Sequence, residues 1–234
     1  MKTLIIIPAY NEAENIERVV DDLILNYPEY DYLVVNDGSK DGTGAILRKK
    51  GYNHITMPLN VGLTDGVAAG MMYAYSHGYD FAIQFDGDGQ HDPKYIADMI
   101  EAMSECDICI GSRFVTEKKP MTARMFGSRL IAFTMLLTTG KRIKDPTSGM
   151  RMFNRKIIKV MANTADYGPE PDTLAHLIRS GARVKEVQVS MRERTAGESY
   201  LNPIRSIKYM LHMFFSIIFI QWCRKKHKLK EEGK

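Results

Sequence analysis

Residues 81–93 have the sequence FAIQFDGDGQHDP, in which an apolar run is followed at once by aspartates and glycines. The run at 81–85 predicts a buried strand. Asp92 followed by Pro93 is a typical start for a helix, which we expect over 93–103. This strand, polar turn and helix form the unit from which the rest of the fold is predicted.

Similar units occur on both sides of this stretch. Strands are predicted over residues 3–7, 32–35, 54–57, 81–85, 107–110, 149–153 and 184–189. Helices are predicted over residues 12–25, 44–50, 64–76, 93–103, 121–139 and 171–180. This alternation predicts an α/β fold with a mostly parallel sheet flanked by helices. We expect residues 1–202 to form one domain, with a loop at 195–202.

Composition and charge exclude several classes of protein. Hydrophobic residues make up 44% of the 234 residues and charged residues 26%, which excludes a wholly disordered chain. The net charge is +4, but residues 203–234 carry +6 and residues 1–202 carry −2. A nucleic-acid-binding protein carries its basic patch on the folded body, so no nucleic-acid partner is expected. Three cysteines give no disulfide framework, which favours a cytoplasmic location.

The C-terminal part, residues 203–234, is predicted to be an apolar helix followed by a basic tail. The apolar run at 210–222 is shorter than the roughly 20 residues that span a bilayer. It ends in Trp222 beside the basic cluster at 224–230, a combination typical of a membrane interface with anionic head groups. We therefore expect a peripheral protein on the inner face of the cell membrane. The alternative is that the helix is buried in a homo-oligomer interface.

The two aspartates that follow the 81–85 run indicate a metal site. Asp86 and Asp88 are two residues apart, so in extended backbone their carboxylates point to the same side. Mg²⁺ favours one or two carboxylates together with phosphate oxygens and water. The alternatives are a plain Asp-Gly turn and a calcium loop, but His91 and Ala97 stand where such a loop needs Gly and Glu.

Two further strand ends carry polar residues. The first predicted strand runs into PAYNE at 8–12, and the second runs into NDGS at 36–39. A carboxylate at such a position can accept from a base N–H or a ribose hydroxyl, and a tyrosine can pack on a base. In open α/β sheets the ligand lies beyond the carboxyl ends of the strands, so these residues and the aspartate pair predict one site.

Several motifs together resemble the inverting glycosyltransferases of family 2, and within them the dolichyl- or polyprenyl-phosphate sugar transferases. The motifs are PAYNE at 8–12, VNDGS at 35–39, NVG at 60–62, FDGDGQHDP at 85–93, GSR at 111–113 and DPTSGMR at 145–151. The resemblance covers residues 3–201. It implies a GT-A fold, a nucleotide-diphosphate sugar donor and a bound Mg²⁺ or Mn²⁺.

The resemblance also implies roles for individual residues. Implied nucleotide contacts are Pro8, Tyr10, Glu12, Asp37 and Asp86. Implied metal ligands are Asp88, Gln90 and Asp86. Residues 194–200 resemble the family's loop over the donor. The implied catalytic residues are the aspartate pair and three arginines that could stabilise a departing diphosphate: Arg113, Arg129 and Arg194.

The implied reaction is transfer of a hexose from a UDP- or GDP-sugar, with UDP-glucose favoured, to a polyprenyl phosphate in cell-envelope glycan synthesis. A lipid phosphate is already ionised, whereas a hydroxyl acceptor needs a general base. Glu170 and Asp172 are the available carboxylates, and the alternative is that they only begin the helix near 171. Two other functions remain open: transfer to a polysaccharide or lipid-linked saccharide, and a non-catalytic nucleotide-sugar-binding subunit.

Overall fold

A computed structural model of the chain describes residues 1–164, 167–192, 203–220, 223–224 and 229. Arg194, the predicted loop at 195–202, Trp222 and most of the basic cluster lie outside these ranges. Within them, seven strands form one sheet with helices on both faces.

The sheet is mixed but mostly parallel. Its strands are β1 (Thr3–Ala9), β2 (Asp31–Asn36), β3 (His54–Thr56), β4 (Phe81–Gln84), β5 (Ile108–Ser112), β6 (Arg151–Asn154) and β7 (Val184–Gln188). They are arranged in the order β3-β2-β1-β4-β6-β5-β7. Only β6 is antiparallel to its neighbours β4 and β5. The predicted α/β fold with a mostly parallel sheet is confirmed.

Eight α-helices lie within the described residues. They are α1 (Ile16–Asn26), α2 (Thr43–Lys50), α3 (Leu63–Ser76), α4 (Ile96–Ala102), α5 (Ala123–Thr139), α6 (Arg155–Ala162), α7 (Pro171–Arg179) and α8 (Pro203–Phe215). A 3₁₀ turn (Pro93–Tyr95) precedes α4, and a π-helical turn (Ser216–Ile220) follows α8.

Two helices differ from the sequence prediction. Helix α1 begins at Ile16 instead of residue 12, because the chain first makes a turn in which Asn15 N–H donates to Glu12 O. Helix α6 was not predicted. It starts directly after β6, where the side chain of Asn154 accepts from Ile157 N–H and caps the helix without an intervening loop.

The order of the strands places a binding crevice between β1 and β4. From β1 the chain adds β2 and then β3 on one side, and it returns to add β4 on the other side of β1. Ligands of open α/β sheets bind at the carboxyl edge where the direction of winding reverses. Because β6 is antiparallel, its first residue, Arg151, also lies at this edge, opposite Gln84 of β4.

The core has two layers, one on each face of the sheet. Leu4 and Ile6 of β1 point into the layer shared with α3, whereas Ile5 and Ile7 point into the layer shared with α1. All four side chains are fully buried, which agrees with the unbroken apolar sequence of residues 4–9. Strands buried on both faces hold the carboxyl edge in place.

The C-terminal helix packs on the same body. Gly127 of α5 lies so close to α8 that a Cβ there would be 2.6 Å from Met210 Cγ. Met213 and Ile217 are buried in the core layer that also contains α7, and Leu229 packs there too. No helix in the described ranges combines the length and apolar character needed to cross a membrane.

The packing of α3 on β1 yields a stability prediction. A Cβ at Gly70 would lie 2.4 Å from Ile6 Cγ2. We expect Gly70→Ala to lower the free energy of unfolding by about 1–3 kcal/mol, because overpacking outweighs the gain in helix propensity. Urea denaturation followed by circular dichroism measures this change.

Gly66→Ala is the matched control on the same helix. A Cβ at Gly66 would lie 3.9 Å from Val35 Cγ1, an ordinary contact. This variant should be up to about 1 kcal/mol more stable than the wild type, through helix propensity alone. Equal unfolding free energies for the two variants would contradict the packing explanation.

Candidate active site

The carboxyl ends of β1 and β4 approach each other very closely. Ladder pairing continues one residue past β4, where Phe85 N–H donates to Ile6 O at 2.9 Å. A Cβ on Gly87 would then lie 3.1 Å from Pro8 O. Glycine at position 87 therefore allows the ends of β1 and β4 to stay in contact. Asp86 and Asp88 are the residues immediately before and after this glycine.

The aspartate pair has one accessible and one buried member. The side chain of Asp86 is 39% exposed. Asp88 is buried, and its Oδ1 accepts from Gln90 N–H at 3.0 Å, which stabilises the turn that follows β4. The turn passes through Gly89 at φ +77°, a conformation that favours glycine.

The donor set fits a divalent ion that is shared with a phosphate ligand. The described residues contain no cluster of three or more His, Cys, Asp or Glu side chains able to hold a metal on their own. Mg²⁺ takes one or two carboxylates and completes its shell with substrate phosphate and water. Asp86 and Asp88 could supply those carboxylates, and the half-buried Gln90, two residues after Asp88, could add an amide oxygen.

The loop before β6 borders the same site. A Cβ on Gly149 would lie 2.7 Å from Asp86 Oδ2, so this glycine leaves the space that the carboxylate occupies. This loop belongs to the DPTSGMR motif at 145–151, which by itself does not indicate a role for Gly149. Its placement depends on β6 being antiparallel, which brings the start of that strand to the carboxyl ends of the others.

At the end of β2, Asp37 organises the neighbouring loop. Its buried carboxylate accepts from Asn60 Nδ2 at 2.9 Å, from Val61 N–H at 2.8 Å and from Gly62 N–H at 2.8 Å. These hydrogen bonds fold residues 60–62 onto the end of β2. The carboxylate predicted to contact the nucleotide thus also shapes the loop beside it.

The last residues of β1 and those that follow it lie at the edge of the crevice. Tyr10 is 39% exposed and Pro8 is half-buried. Asn11 has φ 56°, and its side-chain oxygen accepts from Lys40 N–H, which joins this turn to the one after β2. Glu12 accepts from Asn15 Nδ2 at 2.8 Å. The structure therefore gathers the predicted nucleotide residues of β1 and β2 at one edge.

Arg113, at the end of β5, forms a bidentate ion pair with Asp145. Its Nε lies 2.7 Å from Oδ2, and its other nitrogen donates to Oδ1 at 2.8 Å. Burial opposes ionisation of Asp145, but the hydrogen bonds and charge of Arg113 outweigh it and hold the pKa of this carboxyl below its usual value. The pair fixes the GSR end of β5 to the loop before β6.

Two more cations lie next to this pair. Arg129 of α5 donates to Lys119 O at 2.7 Å, and Lys119 Nζ donates to Ser128 Oγ at 2.8 Å. Burial lowers the pKa of Lys119, and the nearby charges of Arg113 and Arg129 act in the same direction. This cationic cluster (Arg113, Lys119 and Arg129) is suited to an anionic ligand. Lys119 was not predicted.

The two carboxylates considered as a general base are both engaged by the C-terminal part of the chain. The Tyr209 hydroxyl donates to Glu170, and burial and the charge of Glu170 raise the pKa of Tyr209. Ser216 Oγ, in the π-helical turn, donates to Asp172 Oδ2 at 2.7 Å, and a nitrogen of Arg224 lies 3.5 Å from the same oxygen. These partners are distant in sequence and were not predicted.

Arg151 joins Glu170 to the loop before β6. It is buried, and its guanidinium donates to Pro146 O at 2.6 Å, to Ser148 O at 3.0 Å and to Glu170 O at 3.3 Å. Burial lowers the pKa of Arg151. The signal in the sequence is an arginine within the otherwise apolar run at 149–153, which indicates a buried charge with specific partners.

Comparison with known proteins agrees with this architecture. The family model described as Glycosyl transferase family 2 matches residues 4–161. An undecaprenyl-phosphate mannosyltransferase from Micrococcus luteus is 30% identical over 214 residues, covering 86% of this chain and 88% of that protein. A polyprenol monophosphomannose synthase from Mycolicibacterium smegmatis is 31% identical over 215 residues, covering 86% and 81%.

The fold is shared with solved glycosyltransferase structures. Glucosyl-3-phosphoglycerate synthase from Mycobacterium tuberculosis, in complex with Mn²⁺, UDP-glucose and phosphoglyceric acid, superposes with a TM-score of 0.64. The match covers 96% of this chain and 80% of that one at 14% identity, so it shows the fold alone. Together with the match over residues 4–161, these relationships show that the chain belongs to glycosyl transferase family 2 and is a nucleotide-sugar-dependent glycosyltransferase.

Proposed function

We propose that the protein transfers a hexose from a nucleotide-diphosphate sugar to a polyprenyl phosphate with inversion at the anomeric carbon. The observation that carries the proposal is the aspartate pair, Asp86 and Asp88, at the crevice where the winding of the sheet reverses. The ends of β1 and β2 supply the adjoining wall for the nucleotide. The names of the relatives support a polyprenyl phosphate as the acceptor.

The donor diphosphate is assigned to the aspartate side of the crevice. Asp86, Asp88 and Gln90 would hold Mg²⁺ or Mn²⁺ there, and a bound metal ion supplies stabilisation of negative charge on a leaving diphosphate. Asp86 is also proposed to contact the ribose, while Pro8, Tyr10, Glu12 and Asp37 line the nucleotide. These residues lie at or just after the carboxyl ends of β1, β2 and β4, which meet at one edge of the sheet.

The acceptor phosphate is assigned to the cationic cluster. An oxygen of the acceptor phosphate forms a bond to the anomeric carbon of the sugar while the bond from that carbon to the donor diphosphate breaks. A phosphate monoester is ionised near pH 7, so no proton has to be removed from it. This agrees with Glu170 and Asp172 being hydrogen-bonded to Tyr209 and Ser216. Arg194, the third arginine expected to stabilise the departing diphosphate, lies outside the described residues.

Mannose and glucose are the two sugars to compare first. Two relatives are named for mannose transfer, whereas sequence reasoning favoured UDP-glucose. The proposed product, a polyprenyl-phosphate sugar, suits a later role as a sugar donor for cell-envelope glycans. The sugar itself is decided by the donor assay below.

We further propose that α5 and α8 contact an anionic membrane surface. Exposed apolar side chains on α5 are spaced seven and four residues apart, at Phe126, Phe133 and Leu137, and so share a face. On α8 and the π-helical turn the corresponding residues are Leu211, Phe215 and Phe219. The two helices pack against each other, so these stripes lie on neighbouring elements.

Nearby basic residues support an anionic lipid surface as the partner of these two apolar stripes. Lys141 and Arg142 follow α5 and are exposed, as is Lys208 on α8. Each cation near an anionic surface contributes about 1 kcal/mol, and apolar side chains insert among the head groups. A membrane-bound acceptor would then meet the enzyme on the side where α5 begins beside the cationic cluster. We place the protein on the cytoplasmic face of the cell membrane.

The first experiment supplies the purified protein with polyprenyl phosphate and a panel of labelled donors: GDP-mannose, UDP-glucose and UDP-N-acetylglucosamine. We expect one donor to give a lipid-linked sugar, EDTA to stop transfer, and Mg²⁺ or Mn²⁺ to restore it. Asp88→Asn should reduce turnover at least tenfold while circular dichroism shows an unchanged fold. Transfer in EDTA, or by this variant at wild-type rate, contradicts the role of the pair.

The second prediction separates a phosphate acceptor from a hydroxyl acceptor. Glu170→Gln and Asp172→Asn should each retain at least a tenth of the wild-type turnover, because an ionised phosphate needs no general base. Thermal unfolding should show a lower midpoint for both, since each variant weakens a contact with the C-terminal helix. A thousandfold loss of kcat with donor binding intact would instead assign the base role and a saccharide hydroxyl acceptor.

The third prediction tests the membrane contact. Phe133→Ser combined with Phe215→Ser should lower binding to vesicles of anionic phospholipid at least tenfold in a sedimentation assay, because both side chains are exposed and apolar. Leu25→Ser is the matched control, since Leu25 is equally apolar and 75% exposed but lies on α1. Nucleotide affinity should not change.

Binding should also weaken as salt rises, because an anionic surface is screened within about 8–10 Å at physiological ionic strength. If the double variant and the Leu25→Ser control bind vesicles equally well, the membrane assignment is wrong. If the double variant also converts a dimer into a monomer, the two stripes form a homo-oligomer interface instead.

A further inference from the structure

His91 lies directly behind the aspartate pair and is almost fully buried. Its Nδ1 accepts from the backbone N–H of Asp86 at 2.9 Å. The pairing of β4 with β6 ends at Gln84, so this N–H lies beyond the ladder and finds its partner in the ring. The imidazole edge packs against Phe85, which holds the ring in one orientation.

This hydrogen bond fixes the ring tautomer. An N–H donor to Nδ1 requires that Nδ1 carry no proton, so the neutral ring carries its proton on Nε2. Nε2 lies 3.5 Å from Asp86 Oδ2. The nitrogen that carries the proton therefore lies near one oxygen of the carboxylate, while the other ring nitrogen accepts from the backbone of the same residue.

Gln84 forms a hydrogen bond with the other oxygen of the Asp86 carboxylate. It is the last residue of β4, two residues before Asp86, and its Nε2 donates to Asp86 Oδ1 at 3.3 Å. The side chain is buried, and its amide oxygen has no hydrogen-bond partner within the described structure. An apolar residue would avoid that unsatisfied oxygen, so the amide is costly for stability at this position.

Gly149 borders the Asp86 carboxylate on a third side, next to His91. A Cβ there would lie 2.7 Å from Asp86 Oδ2 and 3.3 Å from His91 Cε1. The Asp86 carboxylate is thus held between two nitrogen groups and a backbone surface, while its remaining side is open to the crevice.

We propose that His91 and Gln84 are positioning residues that fix the Asp86 carboxylate for the metal and diphosphate of the donor. The inference rests on the role of Asp86 in the proposed function and goes beyond it by naming the groups that orient this ligand. Partners that orient a metal-binding carboxylate change metal affinity about 10- to 100-fold when they are removed.

The test measures Mn²⁺ affinity by electron paramagnetic resonance, with the metal alone and again with UDP or GDP. His91→Asn keeps an oxygen that can accept from the Asp86 N–H but removes the group that faces Oδ2. Gln84→Met keeps the volume and removes the donor to Oδ1. We expect each variant to raise the Kd for Mn²⁺ about tenfold. Asp88→Asn shows that the signal arises from this site.

Thermal unfolding without metal separates positioning from a structural role. Gln84→Met should unfold at the same or a higher temperature than the wild type, because it removes an unsatisfied buried oxygen. A residue that matters only for folding cannot weaken Mn²⁺ binding while leaving the melting temperature unchanged. His77→Asn is the matched histidine control, because His77 is exposed at the far end of α3.

Folded His91→Asn and Gln84→Met proteins that bind Mn²⁺ within twofold of the wild type would overturn the proposal. The acceptor assay is independent of this result. If the wild type transfers no sugar to polyprenyl phosphate but both variants lose Mn²⁺ affinity, the proposed acceptor fails and the positioning role stands. If transfer is efficient and Mn²⁺ affinity is unchanged, only the positioning role fails.

Discussion

The close approach of β1 and β4 at their carboxyl ends is the constraint on which the site depends. A side chain at Gly87 would come within 3.1 Å of Pro8 O, and one at Gly149 within 2.7 Å of Asp86 Oδ2. The missing Cβ at Gly87 allows the two strand ends to approach each other, and the missing Cβ at Gly149 leaves space for the Asp86 carboxylate. Fully buried strands on either side hold the edge rigid, so the aspartates are oriented by the sheet and not by a long loop.

Acidic and basic side chains lie in different parts of this edge of the sheet. Asp37 accepts three hydrogen bonds from residues 60–62, and Asp145 is paired with Arg113. Asp86 keeps an accessible face, while the cationic cluster lies toward α5. In the proposed reaction, the donor diphosphate, held through a cation, and the acceptor phosphate, held by arginine and lysine, would bind in neighbouring regions of one crevice.

The C-terminal helix is part of this arrangement and not only an attachment to it. Tyr209 and Ser216 reach Glu170 and Asp172, and Arg151 connects Glu170 to the loop before β6. The π-helical turn places Ser216 on a buried carboxylate while Phe219 stays exposed. One face of this helical segment is therefore apolar and exposed, and another contacts the acidic residues Glu170 and Asp172.

The sequence by itself determined the α/β class, the aspartate pair and the residues at the strand ends, because apolar periodicity and turn chemistry are local properties. Helix α6 was missed because Asn154 ends a strand and caps a helix without a loop between them. Only the tertiary structure decided that β6 is antiparallel, that Gly149 borders Asp86, and that Glu170 and Asp172 bind the C-terminal helix. Strand direction and contacts between distant residues are set by packing across the whole sheet, which no local pattern encodes.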